Sequence, residues 1–593
     1  MTANGLVKAQ HTASGHRIGS RRMLALRKRL APALVVFACA CAFVVQAPGW
    51  AQTSYMALSQ ALWNGTAQID DWHWETHDIA WYDGHYYSVK PPGLVLATFP
   101  LYAGLRAAGA ERVSHDLRVR AEAGGAAPWA PGRPPIGFYG YSEQRAIAAR
   151  GAISDDAPLT WALGLLGVLA PAILLLVLVG RAAERVAPGT GTATALTLGA
   201  STLILPFSTL YFSHVLSALL GFAAFALAWR EREGPPRLRL LALAGLLAGL
   251  AVVCEYPLAI AALVVGLYVL SRRGAGLVRR AFVYGTGAVA GVLPLFAYQW
   301  WAFGSPLHMT YANAVAQSGL SGRDVLGLND GGFFGITTPR LVDGLSLLVG
   351  GRGLLTLTPV LALAAAGIVL MHRDGRRAEA RTIGALVLAY LVYNAGYWLP
   401  FGGGSPGPRF LIPILPFLAV GLGPAWRRWP AQTLALAVVS MTTMVVATMS
   451  YPMIGVNDVG EWVRRLVSIG VYQHSVLDLI GIVHGAVAIL PFAVLVAVAL
   501  WLGVSSLGSH VVVGAQAVPA TVGVWALCAL LLPRPLQLPS LEAVMLIVVA
   551  ATAALVAVAG VRRRGGRGAS AQHETHHAAA SLTLEAQPAQ RPG

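Results

Sequence analysis

Apolar residues come in blocks of about twenty along most of this chain, with short polar joints between them. A block of that length lets a helix cross a bilayer. The blocks fall approximately at 31–47, 158–180, 190–209, 213–229, 240–254, 256–271, 281–302, 353–371, 382–400, 410–425, 430–449, 479–502, 517–533 and 541–560. The pattern predicts an all-α polytopic membrane protein with about 14 transmembrane helices. Two stretches break it. Residues 49–157 are polar and amphipathic, and the tail from 561 to 593 is polar and expected to be disordered. The N-terminal residues 1–30 are basic and read as a tail. Read alone, 31–47 also fits the apolar core of a signal peptide, but the basic lead is long for one.

Composition supports the same class. The 593 residues are 56% hydrophobic and 12% charged, with mean hydropathy +0.61. Soluble domains carry about 25% charged residues. A soluble enzyme and a disordered chain are both excluded. The four cysteines, Cys39, Cys41, Cys254 and Cys528, all sit in apolar runs with no zinc or disulfide spacing.

The net charge of +17 raises the question of nucleic acid, and the placement of the charges answers it. With both termini cytoplasmic, 28 of the 43 Lys and Arg fall on the inner side, and the short outer joints are nearly free of them. That is the positive-inside bias, and no nucleic-acid partner is expected. The apolar segment 93–109 would invert every later joint if it spanned. It is therefore expected to lie along the outer surface, interrupted by Pro100. Residues 49–157 become one long first extracytoplasmic loop with interfacial helices.

Candidate chemistry concentrates in that loop. Asp70, Asp71 and Asp78 are carboxylates able to serve as a general base toward an acceptor hydroxyl. Trp and Tyr faces suit a sugar ring, and Lys90 can meet a phosphate as a point charge. Pro91 and Pro92 end the loop segment and open a helix. Four further residues fall on the same side by parity. Arg409 follows a Gly/Pro run and has a fork that fits phosphate oxygens. His214 opens one apolar run, and Glu255 sits between two others, where an unpaired carboxylate is costly. A long outer segment at 303–352 carries Asn329, Asp330, Arg340 and Arg352 and is able to cover a site. Each also has a bland reading: aromatic anchors at the interface for the loop, snorkelling to lipid phosphates for Arg409, a structural role for His214. The pair Asp70 and Asp71 offers a divalent metal two ligands without regular spacing. The C-terminal His573, His576 and His577 offer less.

The segments ALWNG, IDDW, HDIAWYDGHYYSVKPPG, GLLAGLAVVCEYP, FGSPL, RGLLTLTPVL and GGGSPGPRFLIPILPFL, in this order, resemble bacterial GT-C glycosyltransferases. The superfamily is the protein-mannosyltransferase-like (Rgt-like) one, relatives of the lipid A aminoarabinose transferases. The resemblance covers roughly residues 30–430, so 31–430 is expected to be the catalytic module and 431–560 a set of additional helices.

The resemblance implies an inner-membrane hexosyl- or pentosyltransferase. Its donor would be a polyprenyl-phosphate sugar and its acceptor an extracytoplasmic glycan, lipid or protein. No nucleotide or certain cofactor is implied. It implies an acid in the first loop as base, with Asp78 first and Asp71 or Asp70 next. Lys90 and Arg409 would hold phosphate, and His214, Glu255, His85 and Tyr86 would shape the substrate pocket. The chain departs from the pattern at Ala51-Gln52-Thr53-Ser54-Tyr55, where many relatives carry an Asp-Glu pair, and at His214, where a second acid often stands. Two other classes remain: an inactive assembly subunit that kept the fold, and a lipid or solute transporter. Transport favours ionisable groups near the midplane, and the spans here are nearly free of them.

Overall fold

The computed structural model describes residues 3–73, 76, 78–127, 152–272, 276–315, 333–451, 453, 458–508 and 517–531, with 3–22, 517–518 and 528–531 as backbone alone. The expected span at 541–560, the tail with His573, His576 and His577, and Asn329 and Asp330 lie outside the described residues.

The chain is an all-α membrane protein. Helix α1 runs from Ala3 to Phe43, so it begins well inside the stretch read as a tail. Leu26, Leu30, Ala33, Phe37, Ala40 and Cys41 are buried along it, a stripe at helical spacing that faces the core. A two-residue strand, β1 (Val44–Val45), leaves α1 and pairs antiparallel with His474–Ser475. Helix α2 (Trp50–Trp63) follows.

The first loop then departs from the all-helical expectation. Strands β2 (Ile79–Tyr82) and β3 (His85–Ser88) form a hairpin, and Ala314–Val315 adds to the edge of β2. The turn is Asp83-Gly84, with φ of 47° and 84°. A two-residue hairpin turn needs positive φ at both places, and Asp-Gly supplies it.

Helix α3 (Gly93–Ala107) starts directly after Pro91-Pro92 and passes through Pro100 without a break. The expected interruption at Pro100 is therefore corrected. Proline costs the helix one donor but not its continuity when neighbours pack around it. The chain turns instead at Gly109, in the left-handed region, and bends by 79° into α4 (Ala110–Ala123).

Among the described residues, four helices are long and apolar enough to cross a membrane: Ala157–Val186, Leu277–Phe303, Pro430–Met449 and Ala486–Ser505. Three bent pairs raise that to as many as seven among the described residues. The apolar helices Leu238–Cys254 and Leu258–Leu270 are shorter. The helix Leu238–Cys254 lies against Leu277–Phe303 with almost no side chain between the backbones. A Cβ on Gly245, Gly249, Gly287 or Gly291 would strike a carbonyl of the facing helix. Small residues four apart permit this close approach in a membrane.

One helix, His214–Arg232, carries polar groups at opposite ends. Near its C-terminal end Glu231 is buried and takes Arg280 through two bonds of 2.6 and 2.8 Å and Arg272 at 2.8 Å. Its N-terminal residue is His214, about 26 Å away at 1.5 Å per residue. The hydrophobic thickness of a bilayer is of that order.

Candidate functional site

Lys90 is fixed by what surrounds the end of the hairpin. Ser54, on α2, donates its hydroxyl to the Asp78 carbonyl at 2.7 Å and lies 2.7 Å from the Ser88 hydroxyl. The Val89 N–H donates to the same Asp78 carbonyl at 3.3 Å. These bonds set the two strand ends side by side. Lys90 Nζ then stands 2.9 Å from Asp78 Oδ2. Only 9% of the Lys90 side chain is exposed, against 27% of Asp78. A charge so far from water needs a partner, and Asp78 provides one. Gly93 comes against the backbone of Val253 and Cys254, which holds the Lys-Pro-Pro-Gly segment against the end of the helix that precedes Glu255.

Arg409 opens a short 3₁₀ turn, Arg409–Ile414. Its guanidinium carbon lies 5.1 Å from the centre of the Phe212 ring and 5.3 Å from that of Phe410. The Lys90 ammonium lies 6.0 Å from the same Phe212 ring. Two cations thus share one aromatic ring, an arrangement ring quadrupoles favour. The side chain of Arg409 runs over Gly402, where a Cβ would sit 2.5 Å from Nε. Gly402 has φ of +79°, so both space and backbone demand glycine. The Nε of Arg409 is buried and has no hydrogen-bond partner among the described residues.

Glu255 and His214 form the floor beneath these cations. Glu255 is 5% exposed. Its Oε1 accepts the Ser213 hydroxyl and lies 3.2 Å from His214 Nδ1. The Tyr55 hydroxyl lies 2.8 Å from the Ser213 oxygen. Burial pushes the Glu255 carboxyl above its ordinary range, while the Ser213 hydrogen bond, Lys90 and Arg409 pull it down. The His214 ring stacks on Phe212 at 4.5 Å, and its Nε2 is buried without a partner among the described residues.

Of the residues singled out in the sequence, Asp78, Lys90, His214, Glu255 and Arg409 lie together. Asp70, Asp71, His85 and Tyr86 do not join them. Asp70 accepts from the Tyr86 N–H at 2.7 Å and lies 2.8 Å from His85 Nδ1, so it fastens the hairpin. Asp71 is exposed. Tyr86 stacks on His73 at 4.2 Å and meets Trp81 at 4.5 Å. It stands about 13 Å from Lys90 along the strand, at 3.3 Å per residue.

The sequence reading missed Tyr55, Ser213, Phe212 and Phe410. They are hydroxyl and aromatic residues within apolar runs and look like core. No group of three or more His, Cys, Asp or Glu among the described residues is placed to hold a metal, and Asp70 is already occupied.

The cluster therefore holds one half-buried carboxylate, two cations over a common ring, and a buried acid–imidazole pair. Such a set can take a proton from a hydroxyl on one side and neutralise an anionic leaving group on the other.

No family model matches the chain, and no curated protein does. Among solved structures, the chain is similar to ArnT from Cupriavidus metallidurans in the apo state, at 15% identity over 87% of this chain and 81% of that one, with a TM-score of 0.41. It is also similar to the same protein bound to undecaprenyl phosphate, at 13% identity over 84% of this chain and 80% of that one, with a TM-score of 0.39.

Proposed function

We propose that this protein is a membrane glycosyltransferase that moves a sugar from a polyprenyl-phosphate donor to an acceptor on the extracytoplasmic side. The observation that carries the reading is the pairing of Asp78 with Lys90 at 2.9 Å, next to Arg409 over the same Phe212 ring. Arg409 has a buried, unpartnered Nε. A guanidinium held open beside an ammonium is a receptor for a phosphate group.

In this reading the donor phosphate lies between Lys90 and Arg409. The acceptor hydroxyl gives its proton to the Asp78 carboxylate. Its oxygen forms the new bond to the anomeric carbon from the face opposite the phosphate, inverting that centre. The bond between the anomeric carbon and the phosphate oxygen breaks, and the electron pair leaves with the phosphate. The leaving group gains negative charge, which the two cations offset. Fixed charges in a site shielded from water are worth most at that moment.

The test is release of free polyprenyl phosphate by the purified full chain, given a panel of polyprenyl-phosphate sugars and a membrane extract as acceptor. Release from at least one donor, lost in Asp78→Asn, supports the reading. Asparagine keeps an oxygen for the Lys90 ammonium, so the variant separates chemistry from packing. Silence across the panel from folded protein overturns it and favours an assembly subunit, for which the acid-free segment Ala51–Tyr55 is the sequence argument.

A further inference from the structure

Glu255 has a second oxygen that the reading above leaves idle. Oε1 holds Ser213 and His214, while Oε2 makes no hydrogen bond to a described residue. From Glu255 a closed circuit of contacts can be followed. Tyr256 follows Glu255 and meets Tyr311 edge to face at 5.3 Å. Tyr311, Tyr397 and Trp398 pack against the pair Val89 and Ala314, and Val89 is the residue before Lys90. Tyr397 meets Phe410 at 5.5 Å, and Phe410 meets His214 at 6.1 Å. His214 returns the circuit to Glu255. Lys90 and Arg409 stand beside Val89 and Phe410 in the chain, so the phosphate-binding cations sit on its rim. Tyr256, Tyr311 and Tyr397 are each partly exposed, with the Tyr256 hydroxyl beside Thr310 and Gln299 and that of Tyr397 beside Trp398.

We infer that this circuit is the subsite for the donor's sugar ring, and that Glu255 restricts it to sugars presenting hydroxyl or ammonium hydrogens and excludes those carrying a carboxylate. The inference rests on the glycosyltransferase reading and names the substrate class. Flat aromatic faces match the apolar C–H face of a pyranose or furanose, and tyrosine hydroxyls both donate and accept. An ionised carboxylate only accepts. His214 adds a second acceptor: with the ring hydrogen on Nδ1, the buried Nε2, which has no partner among the described residues, presents a lone pair. Both polar groups on the floor therefore call for donors. Burial favours the neutral Glu255 carboxyl, while Ser213, Lys90 and Arg409 favour the ionised one; in its ionised form Glu255 would meet a uronic acid with a like charge, and the uronate would find the two cations engaged by phosphate. Like charges in a desolvated contact are strongly selected against.

The experiment uses the purified full chain at pH 8 with three synthetic donors on one polyprenyl phosphate: hexosyl, aminohexosyl and hexuronosyl. The expected kcat/KM for the hexosyl or aminohexosyl donor exceeds that for the hexuronosyl donor by at least about tenfold. Glu255→Gln, which keeps the shape and removes the charge, should narrow that ratio to about threefold or less while the protein still melts cooperatively. Wild-type protein that uses the hexuronosyl donor as well as the others overturns the inference and leaves the glycosyltransferase reading standing. A folded Glu255→Gln with an unchanged ratio also overturns it. If Glu255→Gln does not fold, the wild-type ratio decides. Absence of release from every donor removes the reading itself and the inference with it.

Discussion

The Lys90 ammonium and the Asp78 carboxylate stand 2.9 Å apart at the neck of the hairpin, the cation buried and the acid partly open to solvent. In the proposed reaction this pair divides its work, one member meeting phosphate and the other taking a proton. Asp78→Asn should lower transfer by about 10²- to 10⁴-fold, the usual worth of a positioned base. Its melting temperature should fall by only a few degrees, because the amide oxygen still serves Lys90. Initial rates and a thermal melt on the same preparation check both halves.

Arg409 should not tolerate lysine. Arg409→Lys keeps the charge and loses the planar fork. The expected effect is a rise in KM for the lipid-linked donor of about tenfold or more, corresponding to a charged hydrogen bond of about 1.5–3 kcal/mol. Gly402→Ala should produce a smaller change in the same direction, since its Cβ would sit 2.5 Å from Arg409 Nε. Steady-state kinetics with the donor varied would show it, and a change confined to kcat would contradict it.

The crossing of Leu238–Cys254 with Leu277–Phe303 should fail if a side chain is inserted. Gly249→Leu places atoms on the Ala288 carbonyl, which the backbone cannot avoid without separating the helices. Overpacking costs typically 1–3 kcal/mol and more where only backbone faces the insertion. Loss of monodisperse protein in detergent, or a clear drop in melting temperature, is the expected result. Gly285→Leu is the control, because a Cβ there meets nothing.

Asp156 gives the chain a stability that depends on pH. Burial, then Asp155 and Glu111, push its carboxyl up to about 6, against the pull of Arg106. The folded state therefore holds this proton more tightly than the unfolded state does. Its contribution is fully present below the unfolded value near 3.8 and is lost as pH rises through about 6. Asp156→Asn should be more heat-stable than the parent at pH 8 and lose that advantage at pH 4. Melting curves at the two pH values test it, and an equal difference at both would contradict it.

Much of the architecture is legible because hydrophobic length is a strong signal. The parity of the apolar blocks puts Lys90, Arg409, His214 and Glu255 on one expected side, since each inversion of the chain alternates sides, and in the structure the four lie together. Less was legible where signals are short. Asp83-Gly84 between Ala80-Trp81-Tyr82 and His85-Tyr86-Tyr87 is a strong local hairpin cue, yet a chain so rich in helix invites one reading for every segment. Tyr55 and Ser213 are invisible for another reason: a hydroxyl in an apolar run reads as core until its partner is seen across 158 residues. Asp70 shows the converse. Its charge marks it as chemistry, and its bonds to Tyr86 and His85 make it a fastener.

The two-residue pairing of Val44–Val45 with His474–Ser475 sets a clock on biosynthesis. The Ala47 N–H next to it donates to Gln473, 426 residues later in the chain. At about 5–20 residues per second a ribosome needs about 20–85 s to make that length. Throughout that interval the exit from the first helix has no partner strand. The segments leading to the Asp83-Gly84 hairpin must wait, held by the membrane and its insertion machinery, until the chain has been made as far as Ser475.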